Sequence, residues 1–409
     1  MGALRFLNML TWRRAPAGGG SHFQSLPMPF GKMLPFNKIP APSTIGKAIV
    51  AALLIGSISA CGGGGTSPSI PNPPPPPPPA TQSIVSVFAG IPGATGNVDG
   101  ALNTAQFNSP QGIVADAAGN IYVADTDNFT IRKISAGTVT TIAGAPGVAG
   151  WADGIGNNAL FNGPWLMAVD AAGNLYVTDQ GGDMAAAIIR KITPAGQVTT
   201  LTNPATGQAI QTDGGGAIAV DSQSNVYVFS STPTQPSVLV QITPAGVVNT
   251  IALTTTAGTP LALVNPQALA IDSANNLYIS DDDLTGNAGA LYKVTVNGVN
   301  GTVTQLAGTT SVSGATDGPG SSATFDGLSQ IALDPAGNIY ASDYNNSTIR
   351  EISPAGMVST VAGIAGQTGL YPGAQPAPLP DIGALLWLGQ TLYATDIDDN
   401  VVLGISHMP

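Results

Sequence analysis

The feature that constrains this chain most is one phrase written six times in its last 330 or so residues. It reads G-N-I-Y-V-A-D at Gly119 to Asp125 and G-N-L-Y-V-T-D at Gly173 to Asp179. Weaker copies follow at Ser224 to Ser230, Asn275 to Asp281, Gly337 to Asp343 and Gln390 to Asp396. The tyrosines Tyr122, Tyr176, Tyr227, Tyr278, Tyr340 and Tyr393 mark the period, at spacings of 54, 51, 51, 62 and 53 residues. A supersecondary unit copied at this interval cannot bury its apolar faces alone, so the copies must stack on one another.

One copy shows what the unit is. Gln111 to Asp116 is a short apolar run, Ala117 to Asn120 a turn, and Ile121 to Ala124 a second run ending at Asp125. After the turn at Thr126 to Asn128 come Thr130 to Ile134 and then Thr138 to Ile142, both rich in β-branched residues. These are four antiparallel strands joined by turns, the unit of a β-propeller blade. Of the 23 acidic residues, Glu351 is the one glutamate and the rest are aspartates. Aspartate suits tight turns and glutamate suits helices, so with 52 Gly and 34 Pro there is little room for helix.

Within the first strand, bulky positions (Ile113, Met167, Ile218, Leu269, Ile331) alternate with small ones (Ala168, Ala219, Ala270, Ala332). Side chains alternate faces along a strand, so neighbouring sheets can nest bulky on small near an axis, with the six tyrosines between blades. The third-strand charges, Arg132-Lys133, Arg190-Lys191 and Arg350-Glu351, read as a solvated face.

The pattern G-N-h-Y-V-A-D, I-R-K-I, G-x-V-T-T-I-A-G (h apolar) resembles the NHL repeat, in register over residues 84 to 409. That resemblance implies a β-propeller, in agreement with the strand count. The fold expected is therefore all-β: a six-bladed β-propeller of four-stranded antiparallel blades. The sixth copy stops one strand short at Val401 to Ile405, and Ile84 to Gly90 matches Val139 to Gly144. The N-terminal strand is thus expected to close the last blade. Pairing both termini removes an open edge.

The domain organisation follows a break in composition. Arg5, Arg13, Arg14, Lys32, Lys38 and Lys47 precede Cys61, and every acidic residue follows it. Residues 1–60 read as a leader and signal peptide, with Met28 and Met33 as alternative starts. Ala48 to Ile58 is an 11-residue apolar run, too short for a bilayer-spanning helix and laid out like a secretory signal. Ile58 to Cys61 resembles the lipobox of bacterial lipoproteins, which implies lipid attachment at Cys61; an ordinary signal peptide with an incidental cysteine is the alternative. Residues 61–81 form a Gly- and Pro-rich linker whose prolines 73 to 79 make a stiff spacer. Residues 82–409 form the propeller. The expected address is the bacterial cell envelope, as an outer-membrane lipoprotein facing the periplasm or the cell surface.

After Cys61 only six basic side chains face 23 acidic ones, which argues against nucleic acid as a partner. The candidate ligand face gathers the loops between blades and the turns after the second strands: Asp99, Asp125, Asp127, Trp151, Asp153, Trp165, Asp179, Asp317 and Asp343. Turn capping accounts for most of these aspartates. No cofactor is demanded by the residues. Ca²⁺, which takes several oxygen ligands at once, has weak candidates in Asp281, Asp282, Asp283 and in Asp396, Asp398, Asp399. His22 falls in the leader and His407 near the end, so the propeller has no central histidine base. The reading is a lipid-anchored binding or scaffold module for a protein or glycan ligand. The alternative, implied by related propellers, is a metal-dependent hydrolase or lyase of the gluconolactonase-like kind.

Overall fold

The computed structural model describes residues 83–180, 187–213, 216–232, 235–283 and 287–407; Cys61, the leader and the linker lie outside them. Six sheets, antiparallel except for one edge pairing, surround an axis. Among the described residues, helix is confined to three single 3₁₀ turns, at Thr126–Asn128, Gly156–Asn158 and Tyr344–Asn346. The innermost strands are Pro110–Ala115, Pro164–Val169, Ile218–Val220, Asn265–Ile271, Leu328–Leu333 and Ile382–Leu388. Each touches the innermost strands of both neighbours, and the last touches the first. The ring is closed.

Closure is made by strands from both ends of the propeller. Ser83–Ala89 lies antiparallel against Val401–His407, with Val85 opposite Ile405 and Val87 opposite Leu403. Val85, Leu403 and Ile405 are buried in one cluster with Leu392 and Ala394, so the seam carries core as well as ladder hydrogen bonds.

The blades depart from the four strands expected. Five carry a short fifth strand on the outer edge, Gly100–Ala101, Gly154–Ile155, Ala252–Thr255, Gly318–Pro319 and Gly373–Ala374, and blade 2 adds a sixth, Gln211–Thr212, against Ala187–Ile192. In blades 1, 2 and 5 this strand begins at the Gly of an Asp-Gly pair, a dipeptide that reads as a turn in sequence. Here it straps the outer strand before the chain turns inward, and covers an edge otherwise open to pairing. Blade 4 is not wholly antiparallel, because Ala252–Thr255 runs parallel to Asn300–Gly308. Blade 3 keeps four strands.

Two devices hold blade to blade. The tyrosines do sit between blades: Tyr122 shares a buried cluster with Met167 and Val177 of blade 2, and Tyr340 stacks on Trp387 of blade 6 with centroids 4.8 Å apart. Four of their hydroxyls pair with an aspartate of the same blade. Those of Tyr122, Tyr176, Tyr227 and Tyr278 donate to Asp116, Asp170, Asp221 and Asp272 at 3.0–3.2 Å, which fixes the turn between first and second strands. The second device is a set of buried hydroxyls crossing the seams. Thr126 Oγ1 donates to the Pro164 carbonyl at 2.6 Å, Thr178 Oγ1 to Gly216 at 3.0 Å, Ser280 Oγ to Leu328 at 2.9 Å and Thr395 Oγ1 to Gln111 at 2.6 Å. Inner strands approach closely enough that a Cβ on Gly112 would stand 2.5 Å from the Trp165 carbonyl oxygen; only glycine fits there.

Candidate functional site

The third-strand arginines correct one sequence reading. Arg132, Arg190 and Arg350 are not on a solvated face; all three are fully buried. Each guanidinium joins three parts of its blade. Arg132 Nη1 donates to Asp125 Oδ2 at 2.6 Å and to the Gln106 carbonyl, and Nη2 donates to Asp99 Oδ1 at 2.7 Å and to the Val98 carbonyl. The pattern recurs with Asp179 and Asp153 around Arg190, and with Asp343 and Asp317 around Arg350. Phe107, Phe161 and Phe325, fully buried, lie 5.0–5.2 Å beneath the guanidinium carbons, a cation–π contact in a dry setting. A planar fork with donors on both edges is what this geometry needs, and lysine could not supply it.

Six of the nominated face residues are thus parts of three internal locks. Asp125, Asp179 and Asp343 are fully buried. Asp99, Asp153 and Asp317 are half exposed at the outer edge, where each also accepts from a threonine N–H and hydroxyl on the outer strand: Thr141, Thr200 and Thr360. Of the other three, Asp127 is exposed on the upper face (that of the turns after the second strands) and accepts from Ser109 Oγ at 3.0 Å. Trp151 is 54% exposed in the strap run of blade 2, whereas Trp165 is half-buried on the innermost strand of that blade. The structure places these two indoles in different layers.

Around the axis, the innermost strands line a cavity of about 250 Å³. The side chains that line it are mostly apolar, Ile113, Met167, Leu269 and Ile331 among them, with Gln330 the one side-chain amide, while the larger share of the exposed wall is polar. Above it, five of the six inner strands bulge where they meet the second strand, near Gln111, Trp165, Gln267, Ser329 and Gly383. Bulges re-aim side chains, and these come from five blades at one level. The Gln111 side chain is 94% buried by the complement of its 6% exposure.

A second tier comes from the residues just past the second-strand aspartates, which reach the next blade's inner strand. Thr126 bonds Pro164 in this way. Tyr344 donates its hydroxyl to Asp381 Oδ2 at 3.1 Å, just ahead of the inner strand of blade 6. The matching residue in blade 4 is Asp282, 3% exposed, whose Oδ1 accepts the Leu328 N–H at 3.2 Å. Asp282 and Tyr344 were not singled out as a pair by sequence reasoning. The signal was their shared place one residue after the repeat aspartates Asp281 and Asp343.

Blades 4 and 6 keep the second-strand aspartate without the arginine, since Tyr292 and Leu403 stand opposite Ile279 and Ala394 where Arg132 stands opposite Val123. Asp281 is satisfied by the N–H groups of Val264 and Asn265. Asp396 is fully buried; its Oδ1 accepts the Asp399 N–H, and its Oδ2 has no hydrogen-bond partner. Burial, followed by the nearby Asp399 and Asp398, pushes Asp396 up to about 7. Burial pushes Asp282 up to about 8, with Asp281, Asp283 and Asp343 adding to the rise against the Leu328 N–H. Both desolvation and like charges disfavour the carboxylate form. Among the described residues no group of three or more His, Cys, Asp or Glu is arranged to hold a metal ion, the two aspartate runs included.

Comparison with known proteins fits this architecture. Residues 107–134, which span the first Phe plug, the second strand and Arg132, match the NHL repeat. The chain is a six-bladed β-propeller that carries an NHL repeat at residues 107–134. The propeller is similar in structure to a protein of unknown function from Bacteroides thetaiotaomicron, at 20% identity and a TM-score of 0.59, over 80% of this chain and 76% of that one. It is similar also to an auxiliary nutrient binding protein from Bacteroides ovatus, at 17% identity and a TM-score of 0.60, over 80% and 78% of the two chains. At such identities the likeness is one of fold. No curated protein matches the chain.

Proposed function

We propose that this propeller is a non-catalytic binding or scaffold module of the bacterial cell envelope, held to the membrane through Cys61 and taking a protein or glycan ligand on its upper face. The observation that carries the reading is the channel mouth: five inner strands bulge near Gln111, Trp165, Gln267, Ser329 and Gly383, just ahead of the stretches that line the axial cavity. Concave apolar sites with a few convergent polar groups are the usual form of ligand sites. The likeness to auxiliary nutrient binding proteins supports a binding role and the charge balance weighs against nucleic acid.

Affinity capture from native envelopes with the anchored protein as bait tests the binding role. A retained component that a Trp165→Ala, Gln111→Ala variant loses is expected; equal retention by the variant contradicts the site. Cys61→Ala should release the protein from the membrane fraction. A variant that stays there would refute the anchor.

A further inference from the structure

Among the described residues, blade 3 is the sheet whose outer edge is left uncovered. Its outermost strand, Val248–Thr250, pairs with Gln235–Ile242 and with no strand beyond. The run leading into this blade gives its short strand, Gln211–Thr212, to Ala187–Ile192 of blade 2 instead. Thr243 N–H donates to the Val247 carbonyl, and Ile251 N–H to the Leu239 carbonyl. By the alternation of an antiparallel ladder, Val247, Asn249 and Ile251 direct their backbone groups to the inner neighbour, and Val248 and Thr250 turn theirs outward. Val247, Val248 and Thr250 are exposed.

Open edges are ordinarily blunted by charge, proline, a bulge or a cover. This one has only its shortness. No residue from Ser222 to Ile271 is charged, and the pairing of Val240 to Ile242 with Val248 to Thr250 is regular. The strapped edges of blades 1, 2 and 5 instead carry the half-exposed carboxylates of Asp99, Asp153 and Asp317. With six basic side chains against 23 acidic ones after Cys61, two copies of the chain repel wherever such rims face each other. The edge of blade 3 is where they can approach with little repulsion.

We propose that Val248–Thr250 is a self-association edge, which pairs antiparallel with the same strand of a second copy about a two-fold axis through Asn249. Val248 of one copy then faces Thr250 of the other, and each such pair exchanges both of its N–H···O bonds. Asn249 faces Asn249. Self-pairing matches length, register and neutral character on the two sides, as an isologous contact requires. Val247 and Val248 add apolar surface at the flank. So short a strand buries less than the roughly 1,200 Å² of a stable interface, so the dimer is reversible and forms at high concentration. The inference is independent of what the channel mouth binds.

The test is sedimentation equilibrium of the full chain carrying Cys61→Ala, from micromolar to millimolar concentration. The mean mass should rise from one chain toward two, and association should strengthen with salt as the acidic rims are screened. Val248→Glu should weaken association at least tenfold with an unchanged melting temperature. Thr250→Pro should do the same, since it removes an outward N–H and no inner ladder bond. Met357→Glu, exposed on the strapped edge of blade 5, should change it less than twofold. Facing Asn249 residues would stand about 4.5 Å apart at Cα, within disulfide reach. Oxidised Asn249→Cys should therefore give a covalent dimer that Thr138→Cys, on the strapped edge of blade 1, does not. A monomer at every concentration and salt overturns the proposal, even if another polypeptide takes the edge. A dimer that neither edge variant weakens, or that crosslinks as readily at position 138 as at 249, overturns it too.

Discussion

Blades 1, 2 and 5 and blades 4 and 6 use the same buried aspartate in opposite ways. In the first group Asp125, Asp179 and Asp343 each face a guanidinium within 2.6–3.0 Å. That cation also holds the strap through Asp99, Asp153 or Asp317. In the second group Asp281 and Asp396 remain, but tyrosine or leucine replaces the arginine and the strap carries no aspartate. Blades that repeat the phrase most faithfully are therefore the most committed to architecture. The degraded copies hold buried carboxyls that backbone N–H groups, and no guanidinium, meet. In a repeat protein the well-kept words describe stacking, and function is better sought where a word is missing.

The sharpest way to strain the comparison is at ring closure, because blade 6 lacks the arginine lock and depends on its borrowed strand. Deleting residues 83–89 exposes the edge of Val401–His407 and removes Val85 from its cluster. A drop in melting temperature larger than that of any point variant is expected by calorimetry; an unchanged melt would mean that blade 6 is held otherwise. Next in size is Arg350→Leu, which strands buried Asp343. Breaking a buried pair from one side costs about 3–5 kcal/mol, to be read from denaturant midpoints. The matching change in a blade without the lock, Leu403→Ala, should cost about 2–5 kcal/mol by loss of packing and show no coupling to Asp396.

Asp396→Asn tests the other side. The folded pKa of Asp396 is raised to about 7, so its proton is kept in the native state after the unfolded chain has lost it. The resulting stabilisation is complete below about pH 4 and disappears as pH rises through 7. Relative to wild type, the asparagine variant should therefore gain stability between pH 5 and pH 8, on the order of 2 kcal/mol, whereas Asp343→Asn should be destabilised at both. A pH-independent difference at Asp396 would remove the distinction. The smallest effect is expected at the strap: Asp99 is 47% exposed, so Asp99→Ala should cost about 1 kcal/mol or less once solvent screening is allowed for.

Much of the architecture was legible because period-2 burial and a repeated tyrosine leave few alternatives. Tyr122 and its copies sit between blades, Phe107, Phe161 and Phe325 plug their loops at zero exposure, and Ser83–Ala89 completes the last sheet. The fifth strands were hidden because two residues beside an Asp-Gly turn carry no alternation to read. The arginines were misread for a different reason: a charged residue in a strand is usually solvated, and burial becomes visible only when Arg132, Asp125, Asp99 and Phe107 are seen to come and go together across copies. Blades 1, 2 and 5 have all four words, and blades 4 and 6 lack the arginine and the strap aspartate. The mouth was less legible still, since Asp282 looked like one of three adjacent turn aspartates until the fold turned it toward Leu328.

The account stands or falls on the arginines being structural locks. A double-mutant cycle of Arg132→Leu and Asp125→Asn, read from chemical denaturation, tests this directly. Each single change should be strongly destabilising and the pair less so than their sum, with a coupling of about 2 kcal/mol or more. Additive losses would mean that the buried guanidinium and carboxylate do not hold the blade together.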